Sequence, residues 1–530
     1  MLFTSYEFLL FAALLLLGYY LIPKRWQWQL LLASCMVFYL FAGPRYLIFL
    51  LVTAFSTFAT ACLMDHNLSA QEATLAQNRE IWSKDERKSF KAQEKKKRFR
   101  WLILGLVLNF GVLAVLKYTG FAVNNVNRLL HTFGVENTLR IPSLLLPMGI
   151  SFYTFQSMSY LIDVYREKTK AQRNAAKFLL FVSYFPQLVQ GPISRYDELG
   201  PQLTSEHTFS SKNLRWGLER VLWGYFKKLV IADRALIVIR SLLDEPEQYS
   251  GMYVMMMILL YTVQIYADFT GGIDITIGLS EALGIRLTEN FNRPFLSRST
   301  KEYWNRWHIT MGTWFTDYIF YPLSVCKPMQ KLSKLSRKRL GNALGKRVPV
   351  YLATIVTWFL TGLWHGAGWN FIVWGLLNCL VILVSQECNP LYERFHRRFP
   401  KLSASAWWHG VQAMRTVFLM GVIRTLDCYR DVPLTFRLWG SLFTTFNYRD
   451  LWNGAVLELG LGHADWVLLL VAAAIMFAVS LWGIREPVRA KLDRHPLAEA
   501  FAVAAVFVII MVFGADGIGF DASQFIYNQF

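Results

Sequence analysis

Long apolar runs with almost no charge inside them alternate along this chain with short polar or basic stretches. Runs at 5–22, 27–42, 46–63, 101–118, 349–365, 369–387, 464–483 and 498–514 have the composition of membrane-crossing helices, which need about 20 residues to traverse hydrocarbon. Less clean runs lie near 143–161, 177–191, 218–242, 252–268 and 411–425. The pattern predicts an all-α polytopic membrane protein with roughly 11–13 membrane helices.

The middle of the chain breaks this rhythm. Between 143 and 325, apolar segments are interrupted by Pro, Gly and polar residues, as in "SYFPQLVQGPISRY" and "YADFTGGIDITIG". Backbone freed from a helix at membrane depth must be buried in protein or line a wet cavity. Broken or re-entrant helices around a central tunnel are one reading; ordinary short loops between spans are the other.

Charge adds orientation. The first run has no basic n-region and no small-residue cleavage site, so it reads as a span and not as a cleaved signal. Lys24 and Arg25 follow it, and the connection 64–100 is strongly basic, as are 326–347 and 485–496. The positive-inside bias places these in the cytoplasm and predicts both termini outside. The chain then reads as one membrane domain over 1–530, with a basic cytoplasmic loop at 64–100 and an extracytoplasmic tail at 515–530. The net charge of +19 in 530 residues sits largely in these loops and does not call for nucleic acid. Six scattered cysteines form no CxxC and no metal spacing, and no phosphate-binding glycine motif is present.

Nine histidines occur, and six (His66, His131, His207, His396, His463, His495) fall in polar connecting stretches. His409, in "AWWHG", reads as part of an interfacial aromatic belt. His365, in "TGLWHGAGWNF", ends one of the most apolar stretches. Ionisable groups in spans generally face the interior, find a partner and mark a pathway. The Gly362/Gly366 pair permits close helix contact, which accounts for the glycines but not for the imidazole. His308, in "EYWNRWH", reads equally as functional or as a tryptophan-flanked interfacial residue. Spacing alone does not bring the two together.

"LPMGISFYTFQSMSYLIDVYR" (146–166), "YFPQLVQGPISRY" (184–196), the block 289–323, "TGLWHG" (361–366) and the terminal "FIYNQF" together resemble the membrane-bound O-acyltransferase family. The likeness is to its bacterial branch that O-acetylates extracytoplasmic polysaccharides such as alginate and peptidoglycan, and it covers nearly the whole chain. The resemblance implies catalytic roles for His308 and His365 in a tunnel open to a cytoplasmic acyl donor. It implies that Trp304, Asn305, Trp307 and Asp317 line the tunnel or meet substrate. The same is implied for Tyr321, Trp364, Gln156 and Asp268. Two departures from the family pattern are Gly272 and Asn528, at positions where relatives often carry an aromatic.

The implied donor is acetyl-CoA, with no metal. His365 would act as general base, a role worth roughly 10²–10⁴-fold. His308 would orient the donor or hydrogen-bond the oxyanion, and exchanging the two roles is equally compatible with the sequence. Tyr527 would relay the acetyl group covalently; the competing reading makes Phe525, Tyr527 and Phe530 an aromatic anchor. An extracytoplasmic SGNH-hydrolase-like transferase would complete delivery to the polysaccharide acceptor. The implied location is the bacterial inner membrane, in contact with the lipid bilayer. A D-alanyl transferase of teichoic acid type and a glycan or lipid transporter without acyl chemistry are the alternatives, although no inverted repeat favours the transporter.

Overall fold

The computed structural model describes residues 1–135, 138–144 and 146–515. Its secondary structure is helical, and among the described residues the sole β pairing is an isolated antiparallel bridge between Phe291 and Trp307. Seven described helices are long and apolar enough to cross a membrane: Pro44–Gln77, Lys84–Thr132, Met252–Ala282, Val348–His365, Trp369–Glu387, His463–Trp482 and Pro496–Phe513. The chain is a multi-pass membrane protein. Shorter helices, Tyr6–Leu21 and Gln27–Ala42, occupy the first two apolar runs.

The chain divides into two compact units, Met1–Leu214 with Leu279–Leu287 and Arg215–Gly278 with Thr288–Phe530. In the first, the basic connection 64–100 is not an open loop. The helix Pro44–Gln77 runs into it, and Lys84–Thr132 leaves it after a break at 78–83. Ser83 caps that second helix, bonding the Glu86 amide while the Glu86 carboxylate bonds the Ser83 amide. Such a reciprocal box satisfies two amides that would otherwise lack acceptors. Further on, Ile150–Tyr165 is buried along most of its length, and the run 177–191 is broken into Ala175–Ser183 and Phe185–Val189.

In the second unit, glycine lets helices touch backbone to backbone. A Cβ on Gly224 would lie 2.6 Å from the Gly271 carbonyl, and one on Gly278 would lie 2.5 Å from that of Gly217. The apolar region 218–242 is helical but changes pitch: the seven residues Phe226–Ala232 form a π-helix between two α-helical segments. The block 289–323 is irregular, holding short helices Thr300–Arg306 and Ile309–Phe315, then a π-turn Thr316–Phe320. Polar residues of this block, Asn290 and Ser299 among them, hold its irregular backbone.

Candidate active site

His365 is the last residue of the helix Val348–His365, and the next helix begins four positions later at Trp369. Two glycines make this tight reversal possible. A Cβ on Gly362 would meet the Phe371 carbonyl at 2.4 Å, and one on Gly366 would meet the Phe371 ring at 2.1 Å. Gly375 lies against Gly362 in the same contact, with Trp358 O 2.4 Å from where its Cβ would be. Close packing of the two helices thus presses the buried His365 ring to 4.5 Å from Trp374 and 4.9 Å from Trp364, centroid to centroid.

His308 arrives from the irregular block. Residues 290–292 run antiparallel to 306–309: the Asn292 amide donates to Arg306 O at 2.9 Å and the Ile309 amide to Asn290 O at 2.9 Å. This clamp holds His308 in the left-handed region (φ 49°, ψ 53°), where it precedes the helix Ile309–Phe315. For a non-glycine residue that conformation costs of order 1–3 kcal/mol and persists where its surroundings over-determine it. The buried ring packs edge-on to Phe269 at 4.9 Å and to Trp364 at 5.9 Å.

Trp364 therefore stands between the two histidines, touching both. Residues 57 positions apart in sequence share one aromatic wall, and the wall continues. Trp374 meets Trp304 at 5.5 Å, and Trp304 donates its indole N–H to Asn378 at 3.2 Å. Trp307 stacks on Tyr303 at 5.6 Å.

A buried cation that sequence reading did not single out completes the site. Arg424, on the helix Ala406–Tyr429, places its guanidinium 4.5 Å from the centre of the Trp307 ring, 5.9 Å from Trp304 and 6.0 Å from Trp374. Its carboxylate partner is Asp427, at 4.0 Å. Faces of tryptophan stabilise a desolvated cation by about 2 kcal/mol or more. His308 lies outside the seven spanning helices; burial first, and then the Arg424 charge, lower its pKa, so the imidazole is neutral at neutral pH.

The other residues expected at the site divide. Asp268 bonds the Lys228 ammonium at 2.7 Å, which also bonds Asp233 at 2.7 Å, all three buried or nearly so. This is an ion cluster within the fold, one residue before the Phe269 that touches His308. Asp317 is half-buried in the π-turn, whereas Asn305 and Tyr321 are exposed. Gln156 belongs to the first unit, buried with neither amide atom hydrogen-bonded among the described residues. His409 faces the Arg298 guanidinium at 3.2 Å. Tyr527, Phe525 and Phe530 lie outside the described residues. Among those described, no group of three or more His, Cys, Asp or Glu side chains is placed to hold a metal ion.

Beside the 290–292 clamp lies a cavity of about 680 Å³, reached by Phe291, Asn292 and Ile309 and walled on its apolar side by Met476, Val479 and Val503. Its polar side carries Arg220, which bridges Asp274 at 2.9 Å and Glu289 at 2.6 Å, and Lys227, 2.7 Å from Asp274.

Comparison with known proteins agrees with the likeness read from the motifs. The model of the membrane-bound O-acyltransferase family matches residues 166–337. The chain is 36% identical over 504 residues to the probable alginate O-acetylase AlgI of Azotobacter vinelandii, covering 94% of this chain and 88% of that protein. It belongs to the membrane-bound O-acyltransferase family. A probable alginate O-acetylase AlgI of Pseudomonas putida is 33% identical over 450 residues, 81% of this chain and 84% of the relative. A peptidoglycan O-acetyltransferase of Helicobacter pylori is 32% identical over 330 residues, 57% and 58% of the two chains. The protein is thus a membrane acyltransferase, and its two buried histidines, His308 and His365, both pack against Trp364.

Proposed function

We propose that this acyltransferase takes acetyl from cytoplasmic acetyl-CoA, carries it through a protein-lined tunnel past His308 and His365, and delivers it by way of Tyr527. The final acceptor is an extracytoplasmic polysaccharide, peptidoglycan or an exopolysaccharide of alginate type, reached with an SGNH-hydrolase-like partner. The enzyme sits in the bacterial inner membrane with both termini outside.

The observation that carries this reading is the pair of buried histidines on either side of Trp364. A thioester needs little help to lose its thiolate, whereas the attacking hydroxyl must shed a proton, which a neutral imidazole accepts. The cavity beside the 290–292 clamp has the volume of a small-molecule site, enough for the pantetheine arm of the donor. The tail starts from a defined point: Phe513 O accepts from Arg234 at 2.6 Å, and the Ala515 amide donates to Leu229 O at 2.9 Å. From there Tyr527 has a reach of up to ~40 Å. The names of the relatives from Azotobacter vinelandii and Helicobacter pylori support acetyl as the group and a polysaccharide as the acceptor.

The test uses detergent-purified protein with acetyl-CoA and no glycan, following thiol release together with intact mass. Wild type should release thiol and gain one acetyl adduct. His365→Ala should lose both, and Tyr527→Phe should lose the adduct. Thiol release at the wild-type rate in both His308→Ala and His365→Ala would sink the acyl-transfer reading of the site. Release without any adduct in wild type would sink the relay.

A further inference from the structure

We propose that Asn290 is a positioning residue that fixes His308 as the Nδ1–H tautomer, so that Nε2 of His308 is the base that takes the acceptor hydroxyl's proton. The inference rests on the acyl-transfer reading of the histidine pair and assigns the base within it.

The tautomer follows from a hydrogen-bond count at one atom. Asn290 is fully buried, and its Oδ1 accepts from the Thr310 amide at 3.1 Å and from the Thr310 hydroxyl at 2.9 Å. A backbone amide cannot face an NH2 group, so that atom is the oxygen. His308 Nδ1 lies 3.2 Å from the same oxygen. Facing an acceptor, it must carry the hydrogen, and in a neutral imidazole the lone pair is then on Nε2. Neutrality is set by the surroundings: Phe269, Trp364 and Asn290 bring no charge, and among the described residues the charge that acts on the ring is the Arg424 guanidinium.

Asn290 also accounts for the strained backbone. Its carbonyl accepts the Ile309 amide and its Oδ1 the Thr310 amide, so one residue holds the chain immediately after the left-handed His308. Its Nδ2 has no hydrogen-bond partner among the described residues, and a buried unmet donor costs about 1–3 kcal/mol. An arrangement that costs stability while aiming one imidazole nitrogen is expected where the aim matters to the reaction. His365 then takes the second role, beside the acyl carbonyl.

In the reaction so assigned, the hydroxyl oxygen attacks the thioester carbon as Nε2 removes its proton. The C–S bond breaks as the tetrahedral species collapses. The thiolate then recovers the proton from Nε2–H and leaves as free CoA-SH, returning the imidazole to its starting form.

The experiment compares thiol release from acetyl-CoA by wild type, Asn290→Asp, Asn290→Leu and His365→Ala between about pH 5 and 9, together with ¹⁵N NMR of histidine-labelled protein. Wild type should show the His308 Nδ1–H tautomer and a rate level down to about pH 5. Asn290→Asp keeps the acceptor but adds a negative charge, which favours the imidazolium, so it should retain kcat within about fivefold while its acid limb moves to higher pH. Asn290→Leu should lose about 10²-fold in kcat, with KM for acetyl-CoA within about threefold. An Nε2–H tautomer in wild type, an acid limb unmoved in Asn290→Asp, or wild-type kcat in Asn290→Leu overturns the proposal. If Asn290→Leu does not fold, the tautomer and the Asn290→Asp profile decide it. Full thiol release in His365→Ala with the Asn290→Asp limb shifted would leave Asn290 in this role and overturn the shared-site reading instead.

Discussion

The Arg424 guanidinium lies 4.5 Å from the centre of the Trp307 ring, one residue from His308 in sequence, and its carboxylate partner among the described residues is Asp427 at 4.0 Å. Its charge and burial act in the same direction on His308, keeping the ring in its base form as pH falls. Removing the charge reverses one of the two causes: the imidazolium becomes easier to form, and base activity is lost at higher pH than in wild type. Arg424→Gln should therefore move the acid limb of the thiol-release profile to higher pH. Arg424→Lys should keep the limb in place. Equal limbs in Gln and Lys variants would reduce the guanidinium to packing.

Trp364 is the spacer between the histidine rings. Trp364→Ala should cost about 3–5 kcal/mol of stability and uncouple the two rings, so activity per folded molecule should fall further than the loss of folded protein. Trp364→Phe retains an aromatic between them and should keep most activity. Thermal unfolding in detergent, read beside thiol release, separates the two effects.

At the reversal after His365, Gly362 has no room for a methyl group: its Cβ would be 2.4 Å from a carbonyl oxygen on the neighbouring helix. Helix backbones cannot yield as a side-chain tip does. Gly362→Ala should destabilise by about 1–3 kcal/mol and displace His365 with it. Gly410→Ala, where nothing lies within 4 Å of the added carbon, should leave Tm unchanged or slightly raised.

The apolar runs were legible because hydrocarbon imposes one length and one composition: the run 349–365 became Val348–His365, and 369–387 became Trp369–Glu387. The basic stretch 64–100 hides its helices because its charge masks the helix propensity of its residues. "SKDE" at 83–86 carries the N-cap and its reciprocal Glu86, and Lys, Glu, Gln and Ala around it are strong helix formers. Arg424 was legible by the argument applied to His365, as an ionisable residue deep in the apolar run 411–425, which Arg415 shares nearer its start. Asn290 was not. Its partners, His308 and Thr310, are 18 and 20 positions away, across irregular backbone that no periodicity describes.

Asp268, a residue the resemblance puts at the tunnel, stands in a buried ion cluster that gives it a structural duty. It shares the Lys228 ammonium with Asp233 at 2.7 Å each, and Lys228 and Asp268 are almost wholly excluded from solvent. Breaking such a cluster on the cation side removes the ammonium that the two carboxylates share, at a cost of about 3–5 kcal/mol. Lys228→Met should therefore lower Tm steeply, while Asp268→Asn, which leaves Lys228 paired to Asp233, should cost less. The double variant Lys228→Met with Asp268→Leu should recover part of the loss, because fewer unmatched charges are buried. For both aspartate variants, thiol release per folded molecule should stay within about threefold of wild type, since a group acting through the fold contributes little to the chemical barrier. A loss of about 10²-fold in Asp268→Asn at unchanged Tm would return Asp268 to the reaction itself.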